Sequence, residues 1–244
     1  MLDKAKRKLA LAVLGMASIA PALTQAGPAQ FTGSPLEGVN IEAIQELPMG
    51  GFKAVKADGQ LFFISDSGRF VFRGELYDVW NTKKLDTMEA VLNATSRIQF
   101  SNFNIDPKED LGAFTYGEGE KEVVVFVDPN CPHCHKLLNS LEQAKDDYKF
   151  NIVMIPVLGN DSGKRVRNIG CATDRKEAFG KLIAGSAPYG LEQVENCDLK
   201  PFQKALVTAK MFGVQGVPFI IAPDGRLKRG NPKDLKAFLE GGGA

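Results

Sequence analysis

The sequence predicts an α/β domain with a central mixed sheet flanked by helices and carrying a helical insertion. A small α+β unit and a connecting helix precede it. Three observations carry this expectation. Residues 123–127, Val-Val-Val-Phe-Val, are an apolar run suited to a strand buried on both faces, and the segment after it has helical spacing. Beyond that segment, β-rich runs alternate with amphipathic helices, as in a sheet covered by helices. Before it lie short β-rich pieces punctuated by Asp58-Gly59 and Asp66-Ser67-Gly68, both turn signals.

Taken in order, Lys4, Lys6, Arg7 and Lys8 head an apolar stretch from Leu9 to Leu23, followed by a small-x-small site at Thr24-Gln25-Ala26. Residues 1–26 therefore read as a cleaved export signal. The apolar stretch is about 15 residues, short of the roughly 20 that span a bilayer, so no stable membrane insertion is expected. The segment holds four basic residues and Asp3, and the formal net charge of +1 becomes −2 without it. A near-neutral chain with no Lys/Arg cluster argues against nucleic-acid binding.

The stretch from Gly27 to Val39 is Gly/Pro-rich and reads as a loose entry, with a short amphipathic helix over Ile41–Leu47. Strands are expected at Phe52–Ala57, Gln60–Ser65 and Arg69–Arg73. Leu61 to Ile64 and Phe70 to Phe72 make this sheet apolar on both faces, more than so small a unit covers by itself. Either helices shield it, as the Ile41–Leu47 helix would, or another chain does, and large apolar patches on small domains usually mark interfaces. Leu85, Met88, Val91 and Leu92 have helical spacing within Thr82–Arg97, with Asn81, Thr82 or Asp86 as the cap. This helix reads as a connecting rod. The chain thus divides into a signal (1–26), a small α+β unit (27–81), the linker helix (82–106) and the α/β domain (107–244).

In the α/β domain a second strand is expected over 150–158, then a polar insert with helices at Lys164–Ala172 and Arg175–Ala184. Pro201–Phe212 reads as an amphipathic helix burying Phe202, Leu206 and Phe212. A strand follows Pro218, Pro223-Asp224-Gly225 turns into its partner, and Asn231-Pro232 caps a last helix ending at Leu239.

The chemistry lies in Cys131-Pro132-His133-Cys134. Asp128-Pro129-Asn130 ends the strand, and Pro132 suits the first helical turn, so Cys131 falls at a helix N-terminus. Unpaired N–H groups and the helix dipole there favour a thiolate, the nucleophilic form of cysteine. His133, if protonated, would add to that effect. Cys134, one turn on, can close a disulfide with Cys131, which makes the pair a redox dithiol. A zinc site would need four converging ligands. His133 and His135 flank Cys134 and point to different sides of the helix, and the chain has no second C-x-x-C or H-x-x-x-H. Neither a metal nor a cofactor is expected. With Cys131 and Cys134 assigned, Cys171 either pairs with Cys197 or stays free.

Gly213-Val214-Gln215-Gly216-Val217-Pro218 before a β-run, downstream of a C-x-x-C, is the pattern of thioredoxin-like folds, in which a cis-proline faces the dithiol. Ile64-Ser65-Asp66-Ser67-Gly68, Gly74-Glu75-Leu76-Tyr77-Asp78-Val79, Cys134-His135-Lys136-Leu137 and Cys171 with Cys197 extend the match to both parts of the chain. The chain resembles the periplasmic disulfide isomerases of the DsbC/DsbG family. The resemblance implies an N-terminal dimerisation domain, a linker helix and a thioredoxin-like domain in a V-shaped homodimer with an apolar cleft. It also implies a periplasmic location, misoxidised exported proteins as substrates and a membrane electron donor of the DsbD type. On this basis Cys131, Cys134, His133, Val217 and Pro218 are the expected catalytic set, and Cys171–Cys197 is the expected structural disulfide. Pro132-His133 and Val217 are instead similar to the oxidising DsbA enzymes, and Val125 stands where thioredoxin has a buried acid. A DsbA-like dithiol oxidase, or a cleft-type chaperone with secondary redox activity, is therefore the alternative function.

Overall fold

The computed structural model describes residues 37–47, 50–186 and 190–242. The segment 1–26, read as an export signal, and nearly all of the entry to Val39 lie outside them. Strands β1 (Ile41–Glu46), β2 (Phe52–Ala57), β3 (Gln60–Ser65) and β4 (Val71–Phe72) form an antiparallel sheet in sequence order. Asp58 and Gly59 join β2 to β3 at φ 46° and 73°, the positive values a two-residue type I′ turn needs.

Two expectations for this half are corrected. Ile41–Leu47 is not a helix, because Ile41 to Glu46 pair with β2. The register shifts between Ile41 and Ala43, and one extra residue there brings positions three apart onto the same side of a strand. That bulge is how the Ile41/Ile44 spacing came to resemble a helical period. The helix expected from Thr82 also starts later. β5 (Tyr77–Asp78) pairs with β6 (Lys83–Lys84), Asp78 Oδ1 accepts the N–H groups of Trp80 (3.0 Å) and Asn81 (3.2 Å), and Thr82 turns at φ 52°. Helix α1 (Met88–Ser96) begins instead at Thr87, whose hydroxyl accepts the Ala90 N–H at 3.1 Å. Its Met88 and Val91 are buried with Leu47, Ala54, Phe63 and Leu85, so its apolar stripe lies on the first sheet.

A 3₁₀ turn (Phe100–Phe103), α2 (Pro107–Leu111) and β7 (Phe114–Tyr116) lead into the larger layer. This contains β8 (Lys121–Val127), α3 (Pro132–Ser140), β9 (Tyr148–Met154), α4 (Asn160–Gly170), α5 (Arg175–Ala184) and α6 (Lys200–Met211). β10 (Phe219–Ile221), β11 (Leu227–Arg229) and α7 (Leu235–Leu239) complete it. The sheet order is β11-β10-β8-β9-β7, with β8 parallel to β9 and the other pairs antiparallel.

β8 is central, which explains its unbroken apolar run. Val123, Val125 and Val127 pack with Leu137, Leu138 and Leu141 beneath α3. Val124 and Phe126, on the other face, pack with Ala205, Ala209 and Phe212 of the α6 region. Each such large apolar side chain contributes about 1.5–3 kcal/mol on burial, so the strand before the Asp128–Asn130 turn and the helix after it are both firmly packed.

Three details differ from expectation. β9 begins at Tyr148 and ends at Met154, before Pro156. In α6 the buried face is Ala205, Thr208 and Ala209 leading to Phe212, while Leu206 is 41% exposed and Phe202 only half-buried. Helix α7 is capped by Asp234, whose carboxylate accepts the Ala237 N–H at 2.9 Å, and not by Asn231-Pro232.

Candidate active site

Cys131 is the N-cap of α3, extended at φ −86° and ψ 113°, with Pro132 in the first turn. Its N–H donates to Asp128 O at 3.0 Å, and its carbonyl accepts the Cys134 and His135 N–H groups at 3.0 and 3.2 Å. The Cys134 N–H also points at Cys131 Sγ, 3.3 Å away. Sulfur thus occupies the place a Ser or Asp oxygen takes in an ordinary cap, where negative charge is stabilised. On its other side the Cys131 thiol donates to the carbonyl oxygen of Val217 at 3.6 Å. The Val217–Pro218 peptide bond is cis. The structure therefore brings Cys131, Cys134, Val217 and Pro218 to one place.

Both cysteines are buried, Cys131 with 4% of its surface exposed and Cys134 with none, and the two sulfurs differ in their partners. Cys134 has no exposed surface, and burial is the main cause that pushes its thiol well up from the ordinary value; hydrogen bonding to Cys131 adds to this, and one with the Asp128 backbone opposes it. Neither cysteine is bonded in a disulfide. Such an arrangement can present one sulfur to a disulfide while holding the second in reserve one helical turn away.

His133 is exposed, and its carbonyl accepts the Asn231 side-chain N–H at 3.0 Å. Gly230 N–H, next to Asn231, donates to Pro218 O at 2.8 Å, so the loop after β11 braces both the helix and the proline. His135 is half-buried, with both ring nitrogens on backbone carbonyls. Among the described residues no group of three His, Cys, Asp or Glu side chains could hold a metal ion.

Asp128, read from sequence only as a turn-former, anchors the loop. It is completely buried, Oδ1 accepts from Asn130 N (2.7 Å) and Ser162 Oγ (2.8 Å), and Oδ2 accepts from Leu158 N (2.9 Å). Asn130 Nδ2 donates back to Ser162 Oγ at 2.9 Å. A carboxylate straight after a buried β-run was the available signal. Two of its three partners, Leu158 and Ser162, lie 30 and 34 residues further on, beyond any local pattern.

Cys171, at the end of α4, is bonded to Cys197, ahead of α6. The two are 26 residues apart, and closing such a loop stabilises by about 3 kcal/mol in the chain-entropy treatment. Replacing both by Ala is expected to lower the urea unfolding free energy by about that amount. A change below about 1 kcal/mol would deny the bond a structural role.

Comparison with known proteins places these features. Residues 115–240 match the model of a thioredoxin-like domain, and residues 24–89 match that of the disulfide bond isomerase protein N-terminal domain. Thiol:disulfide interchange protein DsbC of Escherichia coli K12 is 29% identical over 214 residues, covering 83% of this chain and 83% of that protein. The DsbC of Salmonella typhimurium is 28% identical over 214 residues, covering 83% and 82%. Among solved structures, a disulfide interchange protein from Neisseria gonorrhoeae is similar at 25% identity and a TM-score of 0.47, over 56% of this chain and 96% of that one. The thioredoxin-like match takes in more than half of the sequence and the isomerase N-terminal match precedes it in the same chain: the chain belongs to the thioredoxin-like family, as one of its DsbC thiol:disulfide interchange proteins.

Proposed function

We propose that this enzyme is a periplasmic thiol-disulfide isomerase that acts through Cys131 on wrongly paired exported proteins. The observation that carries the reading is the asymmetry of the dithiol: Cys131 Sγ caps a helix opposite the Val217 carbonyl, and Cys134 is sealed behind it. The Cys131 thiolate attacks a substrate disulfide, forms one S–S bond to it and releases the other substrate sulfur as a thiolate. That thiolate, or another in the substrate, then attacks the mixed disulfide and frees Cys131, so the net change is a rearrangement without oxidation. When no substrate thiol answers, Cys134 gives up its thiol proton and attacks Cys131 Sγ; the departing substrate sulfur takes up a proton, the substrate leaves reduced, and an oxidised Cys131–Cys134 pair remains. A membrane electron donor of the DsbD type would then return the pair to the dithiol.

Pro218 and Val217 present the backbone edge against which a substrate lies, and His133 stands exposed in the first turn beside Cys131. Val157 and Leu158, 41% and 54% exposed, offer apolar surface one hydrogen bond from Asp128, suited to unfolded chains. The chain acts as a homodimer formed through its first domain, where Ile44, Phe70 and Phe72 are 56%, 59% and 44% exposed. Residues 1–26 direct export and are removed.

The test is reactivation of a secreted enzyme carrying scrambled disulfides, in a mildly reducing glutathione buffer. The protein is expected to restore activity well above the buffer alone. Rapid oxidation of a reduced substrate with no rescue of the scrambled one would identify a dithiol oxidase instead.

A further inference from the structure

We propose that His135 is a positioning residue of the redox reaction, a clamp between the loop that presents Cys131 and the end of α5. The inference rests on the dithiol reading and deepens it. The His135 ring is half-buried directly behind the Cys131–Cys134 turn. Its Nε2 is 3.0 Å from Pro129 O and its Nδ1 is 3.0 Å from Leu182 O. Leu182 lies in the last turn of α5, and its carbonyl, which also accepts the Gly185 N–H at 3.2 Å, has a second lone pair for the ring.

Gly185 ends that helix at φ +65°, and a Cβ placed on it would meet the imidazole at 3.2–3.3 Å. The ring therefore lies against the glycine, held in place by shape as well as by polar contacts. A side chain that merely filled space would not need both nitrogens engaged. Carbonyl oxygens only accept, so a neutral imidazole, with one N–H, holds one of the two, and the protonated ring holds both.

The Pro129 contact matters for chemistry. The Pro129–Asn130 peptide lies one residue ahead of the peptide that carries the Cys131 N–H, which is itself held by Asp128 O at 3.0 Å. Fixing Pro129 O limits rotation of that peptide plane and keeps Cys131 in its cap conformation. There its sulfur meets the Cys134 N–H at 3.3 Å and faces Val217 O at 3.6 Å. Without the clamp the loop samples other conformations, the thiolate loses its donor part of the time, and the reduced form is stabilised less than the disulfide.

The test compares His135→Ala, His135→Gln and Gly185→Ala with wild type, reading Cys131 alkylation by iodoacetamide and the redox equilibrium of the pair with glutathione. His135→Ala is expected to slow alkylation about 3- to 10-fold, the weight of about one net hydrogen bond, and to shift the equilibrium toward the disulfide by a similar factor. His135→Gln, whose amide can hold one carbonyl, should fall between Ala and wild type. Gly185→Ala displaces the ring without altering it and should change both readings in the same direction. Thermal unfolding identifies any variant that does not fold, and the remaining ones then decide. A folded His135→Ala with rate and equilibrium within twofold of wild type overturns the proposal, even if its melting temperature falls. A wild-type pair that fails to exchange with glutathione at all would instead sink the dithiol reading.

Discussion

Cys131→Ser abolishes rearrangement of a scrambled substrate, and Cys134→Ser accumulates a mixed disulfide with it. The first result follows because a serine oxygen cannot form or break an S–S bond, and the sulfur that remains is poorly placed to substitute. Cys134 has no exposed surface, and burial holds its thiol protonated, whereas only the thiolate attacks. The rate should therefore fall at least about a thousandfold. The second result follows from the same geometry. In Cys134→Ser the N–H of residue 134 still faces Cys131 Sγ, because a backbone group supplies it, so attack on substrate proceeds. Release by the second sulfur does not. Non-reducing electrophoresis with mass analysis of the trapped species reads both outcomes. Trapping by Cys131→Ser, with none by Cys134→Ser, would reverse the roles of the two cysteines.

What was legible in the sequence was what local chemistry sets. Helix α5 spans the Arg175–Ala184 expected of it, because Asp174 caps one end with two backbone contacts and Gly185 closes the other. The strand after which the dithiol opens was plain because both faces of β8 are buried, which leaves no polar residue to interrupt the run. The cysteine helix followed from Pro132 and the leucines behind it.

Departures arose where non-local pairing overrode a local period. Ile41 and Ile44 have helical spacing, yet a neighbouring strand and a bulge claimed them. Leu206 belongs by spacing to the apolar face of α6, but that face is set by how closely Ala205 and Ala209 approach β8, and Leu206 is left outside. At the site, the cysteines and the proline could be read because their residue types carry the chemistry. Asp128, His135 and Asn231 could not, because each acts on backbone atoms contributed by another segment. Their sequence neighbourhoods read as turn, helix and cap.

Asp128→Asn should destabilise the protein by about 3 kcal/mol, although it preserves volume and shape. The carboxylate is completely buried and every contact it makes is with a donor: two backbone N–H groups and the Ser162 hydroxyl. Desolvating a charge is costly, and here those three donors offset it. An amide in the same place turns one acceptor into a second donor, aimed either at the Leu158 N–H or at the Asn130 N–H and Ser162 Oγ. Whichever way it flips, buried donors then face each other. Each buried donor left unsatisfied costs about 1–3 kcal/mol, so Asp128→Ala, which orphans all of them, should lose at least as much as Asn. Ser162→Ala removes one donor and leaves the carboxylate two, for an expected loss of about 1 kcal/mol. Urea unfolding of the reduced protein ranks the three variants, with an unchanged slope confirming that stability alone has moved. Because Asn130 and Leu158 hang from the same carboxylate, Asp128→Asn should also slow alkylation of Cys131, the residue next to Asn130. A midpoint for Asp128→Asn equal to that of wild type would mean that water, not Asp128, satisfies these donors, and that the anchor of the catalytic loop lies elsewhere.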